Sequence, residues 1–195
     1  IVNLDTDPIR PVHVAGIEID NADSITVNVA GTSDAIIETI SGSTLEDLII
    51  VAAGDVTVRD LENAELDILD ASGVAGDFTL EITNWHDVDL TGTDVSGLDA
   101  VIFSGTNGDL LVTTAQLLAL GIANISSTPD SENSDLYVTE YAGEAIDFTA
   151  IDVEDVENVT FDDSAPNPIV VDPATVFGDA LSGVKMLTIL AEDSD

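Results

Sequence analysis

The segment LENAELDILDASG, residues 61–73, combines two patterns that decide the fold of this 195-residue chain. Its first half places apolar residues at Leu61, Ala64 and Leu66, separated by two free positions and then by one. Its second half alternates apolar and polar residues, which is the period of a half-buried β-strand. Leu66 and Ile68 are therefore expected to face a core, and the carboxylates of the segment are expected to face solvent.

The same spacing of three apolar residues recurs along the whole chain. Central apolar positions two copies apart are separated by 37–40 residues in the first two thirds of the sequence. Half of that distance predicts a coil of about 20 residues, which suits a rung of two or three short strands. The sequence therefore predicts an all-β fold, an irregular parallel β-solenoid, with Val88, Val101 and Phe103 also in its core. The copies are LEDLII (45–50), LENAEL (61–66), WHDVDL (85–90), LDAVIF (98–103), VENVTF (156–161) and VKMLTI (184–189), with looser copies at 22–27 and 122–125.

The charge of the chain limits its partners. Thirty-nine Asp and Glu residues oppose three Lys and Arg residues, for a net charge of −36, while 45% of the residues are hydrophobic. The hydrophobic content indicates a folded protein, whereas the charge excludes nucleic acid as a partner and disfavours direct contact with an anionic membrane. No stretch of 18 apolar residues occurs, so no direct membrane insertion is expected. The chain has no cysteine. Because it begins at Ile1 and not at Met, we expect it to be a mature or excised portion of a longer protein.

Two short helices and a possible boundary interrupt the strand pattern. TTAQLLALG (113–121) has a Thr cap and a terminal Gly, and DPATVFGDALSG (172–183) has an Asp cap followed by Pro173. The polar segment SSTPDSENSD (126–135) resembles a linker. We therefore expect solenoid repeats over 1–125, a linker-like turn over 126–135, and a smaller β-rich segment over 136–195 that continues or caps the solenoid.

Phrases such as VENVTF and LDASGVAGDFTLEI resemble the repeat regions of bacterial S-layer proteins and of large RTX-type secreted adhesins. The resemblance covers roughly residues 17–125 and, more faintly, 150–190. It implies an exported protein of the bacterial cell surface that binds calcium and assembles into sheets or fibres. The chain departs from the RTX pattern because the Gly-Gly-x-Gly-x-Asp nonapeptide is missing, and only SGTNGDLLV (104–112) approaches it.

Calcium is the expected cofactor because hard cations take oxygen ligands from carboxylates and carbonyls. Neighbouring carboxylates repel each other, and a divalent ion would relieve that repulsion. The alternative is that each pair is an ordinary solvated surface feature. None has the spacing of an EF-hand loop. The candidate pairs are Asp5 with Asp7, Asp87 with Asp89, Asp152 with Asp155, and Asp162 with Asp163.

The residues offer little for catalysis. His13 and His86 are the two histidines, and without a thiol or a third histidine they do not form a zinc site. No Gly-x-Ser-x-Gly elbow marks a nucleophile near His86. A polysaccharide-active β-helix would use Arg and Lys to stabilise negative charge, or acids in an aromatic-lined cleft, and this chain is poor in bases and aromatics. We expect no enzymatic activity.

Three hypotheses for function remain at this stage. The first is a structural solenoid that self-assembles into a homo-oligomer or polymer while divalent cations bridge its acidic faces, with contacts to anionic surfaces through the same ions. In that case the tail Ile1-Val2-Asn3-Leu4 is a candidate for strand addition to a neighbouring copy. The second is a β-sandwich binding module of a secreted adhesin. The third is a carbohydrate-active enzyme.

Overall fold

The computed structural model describes most of the first two thirds of the chain and isolated strands of the last third. The described residues are 1–5, 10–19, 21–62, 66–83, 87–119, 124–128, 131, 134–139, 153–154, 156, 158–163 and 186–191. They form an all-β parallel solenoid of about five turns with nearly no helix. The predicted fold class is therefore confirmed.

Eighteen short strands and one helix make up the described part. The strands are β1 (Val2–Asp5), β2 (Val12–Val14), β3 (Ile17–Glu18), β4 (Ser24–Ala30), β5 (Ala35–Ser41), β6 (Asp47–Ala52), β7 (Val56–Glu62), β8 (Ile68–Val74), β9 (Phe78–Ile82), β10 (Val88–Asp89), β11 (Asp94–Ser96), β12 (Ala100–Phe103), β13 (Asp109–Thr113), β14 (Asn124–Ser127), β15 (Asp135–Thr139), β16 (Val153–Glu154), β17 (Asn158–Asp163) and β18 (Met186–Ala191). The helix α1 (Thr114–Ala119) follows β13.

Three parallel sheets run along the stack. Sheet A has the order β1-β4-β6-β8-β11, and sheet C has the order β10-β13-β15-β17-β18. Sheet B has the order β2-β5-β7-β9-β12-β14-β16, with β3 also paired to β5. Every pairing between described strands is parallel, so the β-sandwich of the second hypothesis, which requires antiparallel strands, is wrong. Sheet C is continuous from β13 to β18, so strands on both sides of residues 126–135 share one sheet.

Residues one coil apart lie directly on top of each other. In sheet B, Ala35 pairs with Val56 and Val56 pairs with Phe78, which are steps of 21 and 22 residues. Three pairs of the predicted central positions are direct neighbours across strands: Ile25 with Leu48, Val101 with Ile125, and Val159 with Leu187. The copies of the motif lie on three different sheets, which explains why their spacing along the sequence is uneven.

Inward-facing apolar residues form columns that fill the narrow interior. Leu66, Val88, Val101 and Phe103 are buried as predicted. The strands alternate buried and less buried positions, as in Phe78–Ile82, so each strand contributes every second residue to the core. The residues of the core are aliphatic with two fully buried phenylalanines, Phe78 and Phe103, because stacked short strands leave little room for larger rings.

The prediction that Ile68 is a core residue is wrong. Its relative exposure is 38%, whereas Leu69 is fully buried. The backbone N–H groups of Asp67 and Ile68 both donate to the carbonyl of Glu46, at 2.7 and 3.0 Å. Residues 66 and 67 therefore form a corner, and β8 begins at Ile68. The alternation restarts at Ile68 in the opposite phase, with Leu69 and Ala71 pointing inward.

The one described helix begins with a reciprocal cap. The Gln116 N–H donates to Thr113 Oγ1 at 3.1 Å, and the Thr113 N–H donates to Gln116 Oε1 at 2.8 Å, which is a capping box. Gln116 Nε2 also donates to the carbonyl of Leu90 and, at 2.7 Å, to that of Thr93, just before the last strand of sheet A. The predicted helix over 113–121 is thus present at Thr114–Ala119. The one predicted at 172–183 lies outside the described residues.

No helix within the described residues combines the length and the apolar character that crossing a membrane requires.

We predict that Leu69→Ala and Ile68→Ala differ sharply in cost although the two residues are adjacent. Leu69→Ala removes a fully buried side chain from a close-packed column and should cost about 2–5 kcal/mol of the free energy of unfolding. Ile68→Ala removes a side chain that is 38% exposed and should cost under about 1 kcal/mol. Urea unfolding followed by circular dichroism measures both. Equal losses of stability would contradict the assignment of Leu69 to the core and of Ile68 to the surface.

Candidate cation-attracting surface

Acidic residues line the edges at which the parallel strands begin. In sheet B, Asp34, Asp55, Asp77 and Asp99 each stand one residue before the start of a strand. We call this set the sheet B column. In sheet C, Asp87 stands before β10, and Asp109 and Asp135 are the first residues of β13 and β15. We call these three the sheet C column. Since neighbouring strands lie about 4.8 Å apart, each column places carboxylates one rung apart, although Asp99 is offset by one residue because Ala100 pairs with Thr79.

Backbone N–H groups hold the carboxylates of the sheet B column. The Asp55 N–H donates to Asp34 Oδ1 at 3.3 Å, and the Asp77 N–H donates to Asp55 Oδ1 at 3.0 Å. Asp99 Oδ2 accepts from the Phe78 N–H at 2.8 Å. The carboxylates of Asp34, Asp55 and Asp99 thereby each accept from a backbone N–H at or just before the start of a neighbouring strand. Charge-assisted bonds of this type are stronger than neutral ones.

A glycine before two of these aspartates lets adjacent corners approach closely. A Cβ atom built on Gly76 would lie 2.8 Å from the Asp55 nitrogen and from the Gly54 carbonyl carbon, and one built on Gly54 would lie 2.9 Å from the Ser33 oxygen. Both distances are too short for real side chains. The Gly-Asp pairs 54–55 and 76–77 therefore belong to one repeated corner in which only glycine fits before the aspartate.

The sheet C column is more buried. Asp109 is half-buried, Asp87 is exposed, and the Asp109 N–H donates to Asp87 Oδ1 at 3.2 Å. Tyr137 donates its hydroxyl to Asp135 Oδ2 at 3.3 Å. Burial, together with the negative charges of Asp87 and Asp135, raises the pKa of Asp109 to about 6. Burial also raises the pKa of Tyr137, assisted by the negative charges of Asp135, Asp109 and Asp87.

The structure gives Asp87 and Asp89, one of the predicted calcium pairs, separate hydrogen-bonding roles. Asp89 Oδ1 accepts from the Thr91 N–H at 2.9 Å and from the Thr91 hydroxyl at 2.6 Å. Asp87 instead belongs to the sheet C column. The carboxylates of Asp87 and Asp89 therefore each accept hydrogen bonds from residues outside the pair.

The other predicted residues are only partly described. Asp5 is the last residue of β1 and pairs in register with Ala30. Asp162 and Asp163 end β17 and pair in register with Leu190 and Ala191. Asp7, Asp152, Asp155 and His86 lie outside the described residues.

Sequence reasoning missed the two columns, although a signal was available. The four aspartates of the sheet B column are separated by 21, 22 and 22 residues, and each is followed by Ala, Val or Phe. The first two separations equal the rung steps of sheet B, and the last exceeds its rung step by one residue. The predicted calcium pairs are acids close in sequence, whereas the stack brings together acids one coil apart.

The columns are open rows rather than closed cages. Among the residues that the structure describes, no group of three or more Asp, Glu, His or Cys side chains is arranged to hold a metal ion. Each rung supplies one carboxylate, and its hydrogen bonds leave further lone pairs available at the surface. Such a row raises the local concentration of cations along its length.

A separate row on sheet B neutralises part of the charge. Arg59 Nη1 donates to Glu38 Oε2 at 3.1 Å, and Arg59 Nε donates to Glu81 Oε2 at 3.0 Å. The hydrogen bond with Glu38 raises the pKa of Arg59 further. Exposed His13 extends the row, with Nδ1 at 3.6 Å from Glu38 Oε1. Three consecutive strands, β5, β7 and β9, are thus joined by alternating charges.

The chain shows no match to any family model, to any curated protein or to any solved structure.

We predict that Asp109→Asn and Asp70→Asn change the pH dependence of stability in opposite directions. The pKa of Asp109 is raised from 3.8 to about 6, so its favourable contribution is present below pH 3.8 and is lost as the pH rises through 6. Asp109→Asn, which keeps an acceptor, should therefore be the more stable protein above pH 6. With solvent screening the gain should be about 1 kcal/mol.

Asp70 is the comparator for that experiment. The hydroxyl and N–H of Ser72 and the hydroxyl of Ser96 lower its pKa, so its contribution is present above the ordinary pKa and is lost on acidification. Asp70→Asn should therefore be less stable than the parent at neutral pH and should approach it in acid. Urea unfolding across a pH series measures both variants. A difference for Asp109→Asn that does not change between acid and neutral pH would refute the assignment.

We predict that Arg59→Gln lowers the free energy of unfolding by about 1 kcal/mol, and by more at low salt, because Glu38 and Glu81 lose the charge between them. Arg10→Gln is the matched control because Arg10 is exposed on the first rung and its substitution changes the net charge equally. Unfolding in urea at low and high salt separates the two. If both variants lose the same stability, net charge rather than the row explains the effect.

Proposed function

We propose that this protein is a structural, self-assembling subunit of an extracellular bacterial surface layer, filament or matrix rather than an enzyme. Calcium ions bridge its acidic faces to those of further copies. The observation that carries this proposal is the arrangement of carboxylates in columns along the edges of a solenoid whose net charge is −36. The resemblance of its repeats to S-layer proteins and RTX-type adhesins supports the same location, outside the cell.

The physical argument begins with repulsion. Two carboxylates about 4 Å apart in water repel by about 1 kcal/mol, and the repulsion increases where water is excluded. When two acidic stacks approach, their columns add to this repulsion. Divalent cations between the stacks replace it by attraction. The same charges therefore keep copies apart without cations and join them when cations are present.

Open columns favour calcium over magnesium. Calcium accepts six to eight oxygen ligands at flexible distances, whereas magnesium requires near-octahedral geometry and keeps most of its water. Carboxylates from two different copies, set by the rung spacing of each, form an irregular ligand set. Calcium also offers a route to anionic cell-surface polymers, because the protein alone would be repelled by them.

The proposal predicts calcium-dependent growth in particle size. Light scattering of one sample at fixed ionic strength should show large assemblies in millimolar calcium, dissociation on addition of excess EDTA, and a weaker effect of magnesium. A monomer of unchanged size in calcium and in EDTA would contradict the proposal. That result would favour a monomeric binding module of a larger adhesin.

A matched pair of variants tests whether the columns carry the effect. Asp34→Asn with Asp55→Asn removes two charges from the sheet B column and keeps an oxygen to accept each of the two backbone hydrogen bonds. Glu18→Gln with Asp94→Asn removes two exposed charges outside both columns. The first pair should raise the calcium concentration needed for assembly more than the second. Equal shifts would assign the effect to net charge alone.

A further inference from the structure

Two corners of the solenoid contain an asparagine in the left-handed backbone region. Asn21 has a φ of 62° and Asn107 has a φ of 60°. The two differ in the residue that follows, because Ala22 follows Asn21 whereas Gly108 follows Asn107. Asn107-Gly108 is the one Asn-Gly pair of the sequence. It lies in the turn between β12 and β13, immediately before Asp109 of the sheet C column.

We propose that Asn107 is a site of spontaneous covalent modification that converts it to aspartate and isoaspartate. The backbone nitrogen of Gly108 attacks Cγ of Asn107, so that an N–C bond forms, the Cγ–Nδ2 bond breaks, and ammonia leaves with the proton of the Gly108 N–H. The product is a five-membered succinimide. Water then adds to one of its two carbonyl carbons, which gives aspartate or isoaspartate.

The local structure favours this reaction at Asn107 over other asparagines. Ring closure joins atoms of adjacent residues and needs no second molecule, and Gly108 carries no Cβ to hinder its nitrogen. Asn107 lies outside a strand and is half-buried, so part of its side chain is open to water although Gly108 is buried. Asn28, in contrast, lies within β4, and the branched, buried Val29 follows it.

The modification would act on the sheet C column. It places a new negative charge two residues before Asp109, which already lies next to the carboxylates of Asp87 and Asp135. The added charge would repel these carboxylates, so we expect the pairing of β13 with β15 to weaken. The isoaspartate product also adds one backbone atom at the corner that leads into β13, which displaces the register of that strand.

The test is an ageing experiment on the folded full chain in mildly alkaline buffer, read by peptide mapping with mass spectrometry that separates aspartate from isoaspartate. Asn107 should convert on the order of tenfold faster than Asn21, a modest difference in activation barrier. Conversion of Asn107 no faster than that of Asn21 would overturn the proposal. Asn21 has nearly the same φ and is more exposed than Asn107, so a faster reaction at Asn107 is explained by the following glycine and not by access of water.

Two variants sharpen the result. Ala22→Gly creates a second Asn-Gly pair at the corner with matching φ, and Asn21 should then convert at a rate near that of Asn107. Asn107→Gly tolerates the positive φ and removes the reacting amide, so the products at position 107 should disappear. The consequence for the column is tested by Asn107→Asp, which should unfold at a lower temperature than Asn107→Gly. Equal unfolding temperatures would overturn that consequence.

Discussion

The stacking of each coil on the previous one in parallel register is the constraint on which the whole structure depends. A step of 21 or 22 residues returns the chain to the same place on the neighbouring rung, about 4.8 Å away. Every side chain therefore faces the residue one coil before and one coil after it. Apolar residues at inward positions form continuous columns, and that is the origin of the core. Acids at the corners form columns by the same rule, so the geometry that builds the core also stacks like charges.

Two local devices allow the stack to tolerate those charges. In the sheet B column, backbone N–H groups at the strand starts donate to the carboxylates of Asp34 and Asp99, and such charge-assisted bonds are stronger than neutral ones. In the row of Glu38, Arg59 and Glu81, one guanidinium lies between two acids. In the sheet C column, neither device fully offsets the burial of Asp109 and the charges beside it, and its pKa rises to about 6. The sheet C column is therefore less well compensated than the row around Arg59.

The apolar part of this arrangement could be predicted from the sequence, and the acidic part could not be predicted by the same reasoning. The motif of three apolar residues located core positions such as Val101 and Phe103 because core columns repeat with the coil. Its steps are uneven because the copies are distributed over three sheets: some consecutive copies lie one rung apart in the same sheet, and others lie in different sheets. The burial of Ile68 was predicted wrongly because the N–H groups of Asp67 and Ile68 both donate to the Glu46 carbonyl and form a corner there. No local residue pattern predicts this corner. The aspartate columns were missed since their members become neighbours only after one coil has closed.

The geometry of the columns also bears on where cations would bind. A closed calcium site within one chain needs six to eight oxygens converging on a point, and convergence requires several ligands from one loop or from facing loops. A solenoid edge instead supplies one carboxylate per rung, in a row along the edge. The missing ligands must come from water or from another surface. A second copy of the same solenoid carries rows with the same rung spacing, which is why we propose the protein itself as the partner for such an unfinished row of ligands.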